Sequence, residues 1–172
     1  MTETATETAT ETATETVTET ATETVTENPQ NQMPTPDPAL KALEPLVGAW
    51  EMTGKDLNSG DPLGGRLTFE WMEGGFFLVQ HHEMDHGHGT MKGVEYIGYE
   101  AEGQALRSRY FDSTGNAFTY TWKLQDGDLS IWFGEEGSPA GFTGVLSADG
   151  ATISGRWAWP GGGYEATMTK AG

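Results

Sequence analysis

The sequence predicts an all-β protein in which about ten antiparallel strands close into a barrel behind one short helix. After residue 57, turn-forming residues recur about every ten positions, which is the spacing of a β-meander. Between the turns, apolar and polar residues alternate, as in strands with one buried and one exposed face. Closure into a barrel is favoured over a two-sheet sandwich because it leaves no unpaired edge strands.

The first 37 residues differ in composition from the rest. A four-residue unit, TETA or TETV, repeats from Thr2 to Glu27, and a stretch rich in Pro and Asn follows. In a helix the glutamates would repel one another at every fourth position, and a strand would have no strongly apolar face. We therefore expect a disordered acidic tail and linker over residues 1–37 and a single domain over residues 38–172.

The net charge is −17, and both the tail and the domain are acidic. This charge opposes binding to nucleic acid and to anionic lipid, because both depend on Lys and Arg contacts. No apolar run is long enough to span a bilayer, and the N-terminus does not follow the order of a signal peptide. We expect a soluble cytoplasmic protein with no membrane insertion, and leave a protein partner open.

A short helix is expected over residues 38–45, where Leu40 and Leu43 share a face, Asp37 can cap the N-terminus and Pro38 occupies the first turn. Ten strands should follow, each bounded by turn residues. Their expected ranges are 48–57, 65–72, 75–84, 91–100, 104–112, 117–125, 128–134, 140–147, 151–159 and 163–170.

All four histidines lie in or near the turn between the third and fourth strands: His81, His82, His86 and His88. Imidazole, with the carboxylates nearby, is a ligand that Zn, Ni, Cu and Fe accept. His82, His86 and His88 are therefore candidate metal ligands. His81 and His82 should point to opposite faces of their strand. A solvent-exposed turn that binds metal only adventitiously is the competing interpretation.

Four segments of the domain are distinctive: ALEPLVGAWEMTGK, GGFFL, YIGYE and FDSTG. Through them the chain resembles an uncharacterised bacterial family of calycin-like barrels, a domain of unknown function similar in outline to nitrobindin and intracellular fatty-acid-binding proteins. The Gly48-x-Trp50 pair also resembles the start of a lipocalin, in which the tryptophan closes one end of the barrel. The resemblance covers most of residues 38–172. It implies a ten-stranded barrel with a small-molecule cavity and no defined activity.

The resemblance to nitrobindin also implies haem as an alternative cofactor. Such barrels hold haem through a histidine near the C-terminal end, and the last predicted strand here contains none. His81 or His82 could replace it only by facing the interior. Otherwise no cofactor is expected, and haem or a divalent transition metal remain alternatives.

The predicted function is non-catalytic binding of a small hydrophobic or amphipathic molecule inside the barrel. The domain holds all the Trp, Tyr and Phe of the chain, and Phe77, Tyr96, Trp122 and Trp157 are the candidate wall residues. Resemblance to fatty-acid-binding proteins implies a lumenal arginine for an acidic head group, with Arg109 as the candidate. The alternative is that the arginines project outward. A filled barrel with a structural or interaction role is the other alternative, and no catalytic motif supports an enzyme.

Overall fold

The computed structural model describes residues 33–85 and 89–172. Residues Pro34–Gly172 form one compact unit. The predicted disordered tail lies almost entirely outside the described residues, and so do His86 and His88. The statements below concern the compact unit alone.

A 3-10 helix extends over Pro38–Leu46, as expected for a short helix at this position. The Asp37 carboxylate caps it by accepting a hydrogen bond of 2.8 Å from the Ala39 amide. Pro38 fits the first turn because its missing N–H would have no partner there. The buried face of the helix consists of Leu40, Leu43 and Leu46.

Ten strands follow the helix, and each begins and ends within three residues of its predicted range. They are β1 (Gly48–Asp56), β2 (Pro62–Trp71), β3 (Phe77–Asp85), β4 (Thr90–Glu100), β5 (Ala105–Asp112), β6 (Ala117–Gln125), β7 (Asp128–Phe133), β8 (Gly141–Leu146), β9 (Thr152–Trp159) and β10 (Gly162–Lys170).

The strands form a closed antiparallel barrel in which each strand pairs with its neighbours in sequence. Closure comes from β1 and β10, which pair from Trp50 opposite Lys170 to Asp56 opposite Tyr164. The predicted all-β barrel with one short helix is confirmed. Because every strand has two partners, the backbone groups of the first and last strands are satisfied by each other.

Among the residues described, no helix is long and apolar enough to cross a membrane.

The helix closes one end of the barrel. Leu43 and Leu46 are fully buried, and they belong to the same apolar cluster as Trp50 and Ile97. The Trp50 indole donates a hydrogen bond of 2.7 Å to the Leu46 carbonyl. The Lys170 ammonium lies 5.2 Å from the centre of the Trp50 ring and donates to the Pro45 carbonyl. Trp50 thus joins the helix to the closed end of the barrel.

Replacement of Leu43 by Ala should destabilise the barrel by about 2–5 kcal/mol, because the side chain is fully buried against the barrel end and leaves a cavity. Urea unfolding followed by tryptophan fluorescence measures the loss. Lys41→Ala, on the exposed face of the same helix, is the matched control and should change little. Equal effects of the two substitutions would show that the helix does not plug the barrel.

Candidate ligand-binding site

The interior of the barrel contains a cavity of about 520 Å³, to which all ten strands and the end of the helix contribute side chains. This volume is in the usual range for small-molecule sites. At the closed end it reaches Leu46 and Met52, and at the opposite end it reaches Phe133 and Trp159, the last residues of β7 and β9. A narrow ligand could therefore enter at the end opposite the helix.

One side of the cavity is polar, although most of its lining is apolar. Three buried polar residues line this side, Gln80 and His82 on β3 and Glu95 on β4, and the buried Ser108 on β5 hydrogen-bonds to Glu95. These four residues are called the polar wall. Their alternate positions along the strands direct them to the inside. Register places Gln80 opposite Glu95, and Glu95 opposite Tyr110.

Glu95 is the acid of the polar wall and is only 5% exposed. The Trp122 indole donates a hydrogen bond of 2.9 Å to its Oε1, and the same N–H lies 3.2 Å from the Ser108 hydroxyl. Burial raises the pKa of Glu95 to about 7, although hydrogen bonds from Ser108 and Trp122 oppose the rise. The Glu95 carboxyl group therefore changes its charge near neutral pH.

His82 is held between two polar neighbours. Its Nδ1 lies 3.5 Å from the Gln80 amide nitrogen, and its Nε2 lies 3.3 Å from the Tyr110 hydroxyl. The imidazole also stacks on the Tyr110 ring, with centroids 5.4 Å apart. Gly93, opposite His82 on β4, is needed here because any Cβ at that position would overlap the imidazole.

Asp112 brings a second carboxylate to the cavity, at the end of β5. Its Oδ2 accepts a hydrogen bond of 3.2 Å from the Tyr110 hydroxyl. Burial alone would raise the pKa of Asp112, but hydrogen bonds from Thr114 and Asn116 outweigh it and hold the pKa well below its usual range. Asp112 is therefore ionised at neutral pH.

Aromatic rings continue the lining from the polar wall towards β9. Tyr120 lies edge-on to Tyr110, Phe133 and Trp157, with centroids 6.0, 5.7 and 5.6 Å away. Phe118 stacks on Tyr110 at 5.9 Å. Burial raises the pKa of Tyr110 and of Tyr120, and nearby carboxylates add to the effect, so both phenols stay protonated in neutral solution.

Residues 35–138 match the family model described as Protein of unknown function (DUF1579). The chain belongs to this DUF1579 family. The matched residues include the helix, the first seven strands and the entire polar wall. No curated protein matches the chain.

Several solved structures are similar to this DUF1579 barrel, among them the following two. Rv2717c from M. tuberculosis has a TM-score of 0.51 and 13% sequence identity, and the match covers 80% of this chain and 99% of that one. A de novo designed fluorescence-activating β-barrel has a TM-score of 0.44 and 12% identity, with coverage of 76% and 97%. At such identity, the likeness to Rv2717c concerns the fold alone.

Two of the five predicted ligand-binding residues line the cavity of the DUF1579 barrel, namely Trp122 and Trp157. Phe77, Tyr96 and Arg109 do not, and their placement inside the barrel is wrong. Phe77 is 44% exposed and Tyr96 is 39% exposed, and Arg109 also lies on the outer face. Each is an odd number of positions from a wall residue of its own strand, so strand alternation directs it outward.

Of the three predicted metal ligands, the structure describes His82 alone. His82 faces the cavity whereas His81 is exposed on the outer face, and His86 and His88 lie outside the described residues. Within residues 33–85 and 89–172, no three His, Asp or Glu side chains form a cluster suited to a metal ion. Metal binding by His82, His86 and His88 stays a prediction, as does haem binding through His82.

Sequence reasoning missed Glu95, Gln80 and Ser108 as parts of one wall. In β4, Glu95 lies between Met91 and Ile97 on the inward positions, but apolar residues also occupy the outward positions, so the alternation is ambiguous there. Lys92 was the residue from which the inward position of Glu95 could have been predicted. A lysine next to the turn marks the outward face, which makes Glu95 inward by parity.

As pH rises, the unfolding free energy of the Glu95→Gln variant should increase relative to that of the wild type. The pKa of Glu95 is raised from 4.5 to about 7 in the folded chain, so the folded chain binds the proton more tightly, and the wild type loses stability between these two values. Between about pH 5 and pH 8, the unfolding free energy of the variant should gain about 3 kcal/mol, at most, over that of the wild type. Urea unfolding at each pH measures the difference.

Glu83→Gln is the control for this pH series. Glu83 lies on the outer face of β3, and its hydrogen bond and ion pair with Lys92 lower its pKa. Its contribution to the unfolding free energy is therefore already complete above about pH 5. The difference between this variant and the wild type should stay constant over the same range. A constant difference for Glu95→Gln as well would show that burial does not raise the pKa of Glu95.

Proposed function

We propose that this barrel is a non-catalytic binding protein for a small amphipathic molecule, which it holds in the interior cavity. The observation that carries the proposal is the combination of an interior volume of about 520 Å³ with one polar wall. A mostly apolar cleft with a few convergent polar groups is the usual form of a small-molecule site. The apolar part of such a ligand would pack on the aromatic lining, and its polar part would meet Gln80, His82 and Glu95.

The polar wall itself argues for a ligand rather than for a filled barrel. Burying a carboxyl group costs stability unless it is paired, and an apolar residue at the position of Glu95 would be expected to stabilise an ordinary core. The chain instead places three buried polar residues, Gln80, His82 and Glu95, in the lining of an open volume. A ligand that bonds to them would recover part of the cost. The filled-barrel alternative gives no reason for either feature.

Binding of haem or a transition metal through His82 is the second candidate, because His82 does line the cavity. Its Nε2 contacts the Tyr110 hydroxyl and its Nδ1 contacts Gln80. A metal ion at Nε2 would have to displace Tyr110 from this contact. For this reason the geometry supports an organic ligand better than a metal centre.

Nile red, an uncharged apolar dye whose fluorescence rises in an apolar site, should bind with one equivalent per chain. Ala166→Phe should weaken this binding about tenfold or more, because Ala166 is buried in the cavity lining and a phenyl group there would occupy the space of the ligand. Fluorescence titration of both proteins measures the two affinities.

Thr167→Phe is the matched control, since the neighbouring residue is exposed on the outer face of the same strand. It adds an aromatic ring without filling the cavity and should leave the Nile red affinity unchanged. Circular dichroism of each variant checks that the barrel is intact. An intact Ala166→Phe barrel that binds the dye as the wild type does would place any binding outside the cavity and refute the proposed function.

A further inference from the structure

We propose that the molecule held in the cavity is an organic cation, such as a protonated amine with an apolar chain or ring, whose charged group pairs with the Glu95 carboxylate. This inference rests on the proposed function and specifies the class of ligand. It differs from the fatty acid that a lumenal arginine would have implied.

The distribution of charge is the first reason. Glu95 and Asp112 both line the cavity, while no Lys or Arg is among the described residues that line it. Three of the arginines pair with acids on the outside of the barrel or at its exposed edges: Arg66 with Glu51, Arg107 with Glu100 and Glu135, and Arg156 with Glu165. The inside therefore attracts a cation and repels an anion.

The second reason is the way Glu95 is held. Trp122 donates to one carboxylate oxygen, and the Ser108 hydroxyl also bonds to the group. An ionised carboxylate can accept about four hydrogen bonds, so these two donors fix its orientation and leave capacity for the N–H groups of a ligand. At 5% exposure, little water competes for that capacity. A cation from the ligand would supply the positive partner that a buried carboxylate needs.

The aromatic lining is the third reason. Tyr110 lies opposite Glu95 in the register of β4 and β5, and Tyr120, Phe133 and Trp157 continue the ring contacts across the cavity. The faces of aromatic rings attract cations, and aromatic cages are a common means of holding alkylated ammonium groups. Rings and carboxylate together suit a charged nitrogen with apolar substituents.

The pH dependence of binding should follow from the groups that face Glu95. These are His82 on β3, Tyr110 and Asp112 on β5, and Tyr120 on β6. The two phenols stay protonated and Asp112 stays ionised, whereas Glu95, with a pKa of about 7, changes its charge between about pH 5 and pH 8. As pH rises, Glu95 gains negative charge, and this change favours binding of a cation.

Displacement of Nile red by three molecules of equal chain length tests the charge preference. At about pH 8, the affinity for octylamine should be at least about ten times the affinity for octanol, because the amine is positively charged and the alcohol is neutral. Octanoate should bind most weakly, because it is negatively charged. The affinity for octylamine should rise about tenfold or more between about pH 5 and pH 8, while that for octanol should change little.

Glu95→Gln should reduce the preference for octylamine over octanol to about threefold or less, and should remove most of its pH dependence. Because the ratio of two affinities is measured in one protein, a general change in the cavity cancels. The variant keeps a side-chain oxygen that can accept the hydrogen bond from Trp122. If the variant does not fold, the pH dependence of octylamine binding to the wild type still tests the proposal. Glu83→Gln, on the outer face, should keep the full preference.

Each failure has a distinct meaning. If Nile red does not bind to the wild type, the proposed function itself fails. If the dye binds but octanol or octanoate displaces it as well as octylamine does, the cavity binds ligands and the preference for a cation is wrong. If Glu95→Gln retains the full preference, the pairing with Glu95 is wrong.

Discussion

Residues 50–56 of β1 pair with residues 164–170 of β10, and the rest of the barrel depends on this closure. Without it, the sheet would expose two edges and the interior would open to water along its whole length. With it, the inward side chains of all ten strands face a common enclosed space. Strand alternation then decides, residue by residue, which side chains can take part in binding.

The two ends of this enclosed space are built differently. At one end, the helix, Trp50 and their apolar neighbours fill the barrel with well-packed side chains. Towards the other end, bulky rings meet a wall of hydrogen-bonding groups and a volume remains between them. A plug at one end and a cavity towards the other give the barrel both a packed core and an open interior volume. Residues such as Leu43, which stabilise the barrel, do not belong to the polar wall.

The polar wall depends on cooperation among neighbouring strands. Trp122 on β6 reaches Glu95 on β4 past Ser108 on β5, and Tyr110 connects His82 on β3 with Asp112 at the end of β5. Each side chain orients another, so the carboxyl group and the imidazole are fixed before any ligand arrives. Pre-organised groups of this kind bind a ligand with a smaller loss of conformational freedom.

The fold could be predicted from the sequence because its signals are local. Turn residues set the strand boundaries, and clear alternation in β6 placed Trp122 inside. The site was harder because β3 and β4 carry apolar residues on both faces, so that Phe77 and Tyr96 look as suitable for the interior as Leu78 and Ile97. A shift of one residue exchanges the two faces. Only the three-dimensional register shows that Gln80, Glu95 and Tyr110 lie side by side.

The pairing of an organic cation with Glu95 is tested most directly by carbon NMR of the Glu95 side-chain carboxyl group, titrated with and without saturating octylamine. Without octylamine the pKa should be about 7, as burial dictates. With octylamine it should fall by about one unit or more, because an adjacent positive charge stabilises the carboxylate. An unchanged or higher pKa in the complex would contradict the pairing.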